Sequence, residues 1–263
     1  RAPYMSYEST TPFINTGLDS GCLTVEFNRP DALNAFSTEM MDDLCDAFIE
    51  AAADSETKVL VLTGAGRAFS SGADLKSMAA KGVVPKHGLA GLLDSIIEFP
   101  KPFLIAANGL GVGIGCTILG LADMAFAADS ARFKCPFSAL GLTAEAASTV
   151  TFPGLIGHQR ASWILLASEW VSAEEAKDAG LILAQFPAER LMDEVMERAQ
   201  TLAQLPMASL IQTKALMMRS VKAERKAAVL AENEGLDQLS GGAANREAVK
   251  AFIEKRSPDF SGL

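Results

Sequence analysis

Histidine is almost absent from this chain: His87 and His158 are the two it contains. A histidine-based catalytic triad or a zinc centre is therefore poorly supported, and each histidine reads as a surface or structural residue. No GK[ST] follows a glycine run, which excludes a P-loop, and no GxSxG supplies a nucleophile elbow. Cysteine is sparse as well. Cys22, Cys45, Cys116 and Cys135 lie far apart, form no CxxC, and read as reduced core residues rather than a disulfide framework. Positive charge is in deficit, 23 Lys and Arg against 32 Asp and Glu for a net charge of −9, which argues against nucleic acid as a partner. Residues 1–20 carry no apolar signal-type segment and read as a polar, partly ordered leader into the first strand.

What the chain does contain is an uncharged stretch from Pro102 to Ala122, PFLIAANGLGVGIGCTILGLA, with Gly109, Gly111, Gly113, Gly115 and Gly120 inside it. Its length raises the question of a membrane span, but the glycines, Asn108 and the lack of flanking basic clusters fit a buried strand–turn–helix unit better. The spacing predicts a strand over Pro102 to Ala107, a turn at Asn108-Gly109 and helical character from Gly113 to Ala122. A helix N-terminus at such a turn presents unpaired backbone N–H groups that can stabilise an anion. The glycines do not spell a dinucleotide fingerprint: the third position of GxGxxG falls on Cys116 or Ile114.

Around this unit the pattern alternates strands with helices. Strands are expected at Gly21 to Asn28, Lys58 to Thr63, Met124 to Ala128 and Leu181 to Gln185. An amphipathic helix is expected to run to about Ala53, with Met40, Met41, Leu44, Phe48 and Ile49 as a core-facing stripe. Further helices are expected at 89–98, 158–168, 172–179, 189–204, 207–218, 221–236 and 243–255, and Asp74-Leu75-Lys76 opens a short one. At 263 residues, with 49% hydrophobic and 21% charged content, the chain reads as a globular α/β protein with a helical C-terminal portion beginning near residue 200. Between Leu75 and Ser168 the acids are Asp94, Glu98, Asp123, Asp129 and Glu145. Asp94 and Glu98 read as a solvated helix face. Glu145 sits in the small, apolar run GLTAEAAST. Its plainer reading is a first-turn helix acid behind a Thr143 N-cap. The alternative is a buried carboxyl of raised pKa, suited to moving a proton near neutral pH.

The segments FNRPDALNAF (27–36), AFSSGADL (68–75), NGLGVGIGCTILGLADMAFAAD (108–129) and SAEEAKDAGLI (172–182) resemble the crotonase superfamily, the enoyl-CoA hydratase/isomerase family. The resemblance covers nearly all of the chain after residue 20. It implies a spiral of ββα units, residues 1–200, with a helical trimerisation region, residues 201–263. It also implies an oxyanion hole of two backbone N–H groups, Ala73 and Ile114, for the thioester oxygen of an acyl-CoA. Coenzyme A would lie along Ser71, Gly72, Asp74, Leu75 and Lys76, with Ala32 and Leu33 as the other wall, and Phe137 is a further substrate-binding position. No cofactor is implied beyond the coenzyme A that the substrate itself carries.

Hydratases of the family carry two glutamates where this chain has Thr117 and Phe137, which removes both groups used to add water. The segment 136–153 is similar to the peroxisomal-type Δ3,Δ2-enoyl-CoA isomerases, whose glutamate matches Glu145, with Ala144 and Ala146 in place of a proline and a glycine. That resemblance implies a single-base isomerase. A hydratase or other lyase of the same class, or a non-catalytic acyl-CoA-binding protein, are the alternatives. It further implies a homotrimer or dimer of trimers; from the composition no membrane partner is expected, and a cytoplasmic setting is expected. The basic stretch Lys214, Arg219, Lys222, Arg225 and Lys226 reads as a solvated face or as a neighbour of the coenzyme A phosphates.

Overall fold

In the computed structural model, residues 12–74 and 84–263 are described. Two sheets carry the architecture. The larger has the order β1-β2-β3-β5-β7-β10, and the smaller has the order β4-β6-β8-β9. β1 (Ile14–Asp19) and β2 (Cys22–Phe27) form an antiparallel hairpin. Ser20 and Gly21, at φ 52° and 83°, supply the paired left-handed residues of a two-residue turn. The leader reading of residues 1–20 thus understates order at its end. The strand escapes notice because it is an edge strand that leaves Asn15, Gly17 and Asp19 exposed.

β3 (Val59–Gly64), β5 (Phe103–Ala107) and β7 (Met124–Ala128) continue the sheet in parallel and are almost wholly buried, as uninterrupted apolar runs require. β10 (Ala184–Phe186) closes it, later than the expected Leu181 start. Leu181 and Ile182 instead donate their N–H groups to Ala176 O, sealing the end of the preceding helix.

The small sheet is built from three-residue strands: β4 (Ala68–Ser70), β6 (Leu110–Val112), β8 (Arg132–Lys134) and β9 (Trp170–Ser172). These are too short to leave a periodic trace in the sequence.

Helix α1 (Thr38–Ala53), capped by Ser37, packs on α2 (Gly88–Glu98) and buries Met40, Met41, Leu44 and Phe48. Ile49 departs from the expected stripe: it is 50% exposed. Phe48 meets Phe99 and Phe103 edge-on, at ring-centroid distances of 5.2 and 5.0 Å.

The glycine-rich stretch divides into β5, β6, the short helix α3 (Ile114–Thr117) and a 3-10 turn (Ile118–Leu121). Among the described residues no helix is long and apolar enough to cross a membrane. Helix α4 (Ser148–Ile156), which the sequence reading did not resolve, precedes α5 (His158–Ala167) and α6 (Ala173–Ala179). α6 opens with the capping box Ser172/Glu175.

α7 (Leu191–Ala203) lies across β2, β3, β5, β7 and β10. α8 (Met207–Met218), α9 (Lys222–Leu239) and α10 (Ala243–Ile253) complete the chain, with α9 packed on α2 and α4.

Candidate active site

The site forms where the small sheet hands over to helix. β4 and β6 run parallel, with Ala68 opposite Leu110 and Ser70 opposite Gly111. Continuing that register brings Ser71-Gly72-Ala73 alongside Val112-Gly113-Ile114. The two chains can touch because glycine precedes each donor residue. A Cβ on Gly72 would sit 3.0 Å from Val112 O, and Gly72 Cα lies 3.8 Å from where a Gly113 Cβ would be. Both glycines have positive φ, 97° and 55°, and Gly113 at ψ −123° occupies a region closed to residues with side chains.

Ala73 forms a parallel bridge with Phe36. Phe36 N–H donates to Gly72 O at 2.8 Å and Asp74 N–H to Phe36 O at 3.0 Å, so the Ala73 N–H faces the other way. Ile114 opens α3, where the first N–H groups have no intrahelical partner. Among the described residues neither the Ala73 nor the Ile114 N–H is used in a backbone hydrogen bond. The pair therefore has the make-up of an oxyanion hole, two free main-chain donors on adjacent turns.

The Ala73 turn is braced from the loop between β2 and α1. Arg29 donates to Asp74 Oδ2 at 2.8 Å and to Ala35 O at 2.5 Å. Asn34, fully buried, accepts from Arg29 N–H and donates to Ala65 O and Ala68 O. Ser71 N–H donates to Leu33 O at 2.9 Å and its hydroxyl to Ala32 O at 3.3 Å, so Ala32, Leu33, Ser71 and Gly72 do come together. Asp74 faces Arg29, and Leu75 and Lys76, with the short helix expected there, lie outside the described residues.

Glu145 reaches α3 from the loop ahead of α4. Its side chain is buried, and its Oε1 accepts a 2.6 Å hydrogen bond from the hydroxyl of Thr117, one turn beyond Ile114 on α3. Its Oε2 is buried, with no hydrogen-bond partner among the described residues. Burial pushes its carboxyl up to about 7; the Thr117 hydrogen bond opposes this, and the charge of Glu232 adds to it. The neighbouring Cys135 thiol is also held well above its ordinary range, by Cys116, burial and the Glu145 charge. Phe137 is buried at the start of the turn Ser138–Leu140, eight residues before the acid.

The helix-N-cap reading of this segment is corrected. α4 begins at Ser148 rather than behind Thr143, and Glu145 lies ahead of it in a tight turn through Ala146 and Ala147. The basic stretch is largely engaged as well: Lys222 and Lys226 pair with Glu98, Lys226 also with Asp94, and Lys214 with Asp123. These pairs fasten α8 and α9 to the core. Two contributors went unnoticed in the sequence: Thr117 as the partner of Glu145, and Glu232, whose only trace was one acid among several on a polar helix.

The sequence profile described as enoyl-CoA hydratase/isomerase matches residues 17–262. The chain is 33% identical to the 1,2-epoxyphenylacetyl-CoA isomerase of Escherichia coli, over 95% of this chain and 98% of that protein. It is 37% identical to enoyl-CoA delta isomerase 2 of Rattus norvegicus, over 78% of this chain and 54% of the rat protein. It is also 31% identical to the 2,3-dehydroadipyl-CoA hydratase of Escherichia coli, over 91% and 95%. The crystal structure of an enoyl-CoA hydratase/isomerase from Pseudoalteromonas atlantica superposes with a TM-score of 0.91 at 32% identity, covering 95% of this chain and all of that one. A profile spanning nearly the whole chain, with full-length relatives above 30% identity, leaves one conclusion: the protein belongs to the enoyl-CoA hydratase/isomerase family, the crotonase superfamily.

Proposed function

We propose that the protein is a Δ3,Δ2-enoyl-CoA isomerase in which Glu145 is the single acid–base group. The observation that carries this reading is the state of the Glu145 carboxyl: one oxygen held by Thr117, the other buried and unpartnered, and a proton affinity poised near neutrality. A base that must first take and then return a proton works best with its pKa near the operating pH.

In the reaction, Glu145 Oε2 takes a proton from C2 of a 3-enoyl thioester. The C2–H electron pair forms a C1–C2 double bond and the thioester oxygen becomes the oxyanion of a dienolate, held by the Ala73 and Ile114 N–H groups. Reprotonation at C4 by the same carboxyl re-forms the C1 carbonyl and leaves the double bond at C2–C3. Nothing is added or lost, so one carboxyl is enough. Thr117 and Phe137, where hydratases of the family carry glutamates, supply no second acid–base group. Coenzyme A would be taken along Ser71 and Gly72 against Ala32 and Leu33.

The same reading includes assembly of several copies. Trp163 and Leu166 on α5 are 64% and 68% exposed, an apolar surface of the kind subunit contacts cover. Assaying the wild-type protein on 3-enoyl-CoA and on 2-enoyl-CoA tests the assignment. Conversion of the first to 2-enoyl-CoA without hydration of the second is expected. Formation of 3-hydroxyacyl-CoA from 2-enoyl-CoA at a comparable rate would favour the hydratase reading instead.

A further inference from the structure

The turn that carries Glu145 is built from residues that resist its shape. Ala146 and Ala147 have φ of 58° and 57°, and Ser148 N–H closes back onto Glu145 O at 3.1 Å. This is a β-turn of the mirror-image kind, in which both central positions normally fall to glycine, asparagine or aspartate. A left-handed residue with a Cβ costs roughly 1–2 kcal/mol, so two alanines in succession need an external hold. Ala147 is also the N-cap of α4, and its methyl group can cap nothing.

That hold comes from the C-terminal helix α9. Glu232, buried at 5% exposure, accepts the Ala147 N–H on Oε2 at 2.7 Å, and the Thr149 N–H and hydroxyl on Oε1 at 3.0 and 2.6 Å. Both oxygens act as acceptors, the role of an ionised carboxylate. No basic side chain among the described residues forms an ion pair with it. A buried carboxylate without a counter-ion is costly, and here it lies next to a second buried carboxyl. Among the described residues the groups facing Glu145 are the Thr117 hydroxyl from α3, the Cys135 thiol after β8 and Glu232 from α9, and no cation is among them.

We infer that Glu232 is a positioning residue for the reaction: from α9 it holds the Glu145 turn in its left-handed form and turns its carboxylate charge toward the Glu145 carboxyl. It touches no substrate. Its tether aims Oε2, and its charge favours the protonated form of Glu145, which the return of the proton to C4 requires. The inference rests on Glu145 being the base.

The test compares Glu232→Gln, Thr149→Val and Glu145→Gln by the pH dependence of kcat/KM and kcat on 3-enoyl-CoA. Glu232→Gln removes the charge and one acceptor. Its acidic limb moves to lower pH, and its plateau kcat falls about tenfold or more as the base loses its aim. Thr149→Val keeps the charge and loses one hydrogen bond, so its plateau falls modestly while the limb stays in place. Should Glu232→Gln fail to fold, the same substitution is read in an Ala146→Gly, Ala147→Gly background, where the turn no longer needs holding. There the limb still moves, but less of the plateau is lost. An acidic limb and plateau equal to the wild type in Glu232→Gln, with Glu145→Gln inactive, overturn the role of Glu232 alone. An active Glu145→Gln overturns the base assignment, and this inference with it.

Discussion

Thr117→Val is the most informative small change at the site, because it removes one hydrogen bond and little volume. The Thr117 hydroxyl lies 2.6 Å from Glu145 Oε1 and 3.3 Å from Gly113 O. It can donate to the carboxylate when Glu145 is ionised, and turn to Gly113 O, accepting instead, when Glu145 is protonated. The ionised state gains more, since a hydrogen bond to a charged group is worth about 1.5–3 kcal/mol against about 0.5–1.5 for a neutral pair. Losing that difference, of order 1 kcal/mol, raises the Glu145 pKa further by about one unit. With the carboxyl at about 7, half is ionised at pH 7 in the wild type. In the variant the ionised share drops to about a tenth, and kcat/KM at pH 7 falls about fivefold. The deficit should shrink at higher pH, and Thr117→Ser should restore the wild-type profile. The assay is kcat/KM for 3-enoyl-CoA isomerisation across pH. An acidic limb unmoved in Thr117→Val, or a deficit that persists undiminished at alkaline pH, would refute the argument that this bond tunes the base.

Two further outcomes follow from the same turn. The folded protein holds the Glu145 proton up to about pH 7, whereas an unfolded carboxyl releases it near 4.5. The native state therefore binds more protons across that interval, and stability falls as pH rises from about 4.5 to 7 by roughly 3 kcal/mol, then levels off. Glu145→Gln should lose this part of the slope, as read by denaturant unfolding at several pH values; an unchanged slope contradicts it. Ala146→Gly should leave stability unchanged or raise it by up to about 1 kcal/mol, because relief of the left-handed alanine offsets the entropy that glycine adds to the unfolded chain. A clear fall in Tm would show that Ala146 is not strained.

Much of the fold was legible from the apolar runs. VLVLTG and FLIAA contain no alternation, as strands buried on both faces require, and their shortness and β-branched or aromatic content favour strand over helix. The glycine pattern of 109–115 was legible as a turn leading to a helix N-terminus, while the neighbours that require those glycines come from the structure: Gly111 against Phe133, Gly113 beside Gly72, Gly115 against Ser70. The small sheet was not legible, since β4, β6, β8 and β9 are three residues each and have no period to detect. α4 was missed because Pro153 interrupts its pattern and its N-cap is an alanine. At the site, Ala73 and Ile114 were reached through resemblance, and the register of β4 against β6 explains why they adjoin; Glu145 stood out locally as an acid in a run of small apolar residues, and the resemblance added to that. Glu232 could not be found that way. It lies 85 positions from Ala147 in sequence, and nothing local separates it from the acids around it on α9. Thr117 was noticed for the glutamate it is not, while what the structure shows is its hydroxyl bonded to the Glu145 carboxyl.

The central claim is that one buried carboxyl carries the proton from C2 to C4. It is tested most directly by single turnover of 3-enoyl-CoA deuterated at C2, with the wild type and with Glu145→Gln. The account predicts that part of the label appears at C4 of the wild-type product, because Oε2 is shielded from solvent, and that Glu145→Gln turns over slower by about 10²–10⁴-fold. Wild-type turnover by Glu145→Gln, with the label distributed as before, would contradict it.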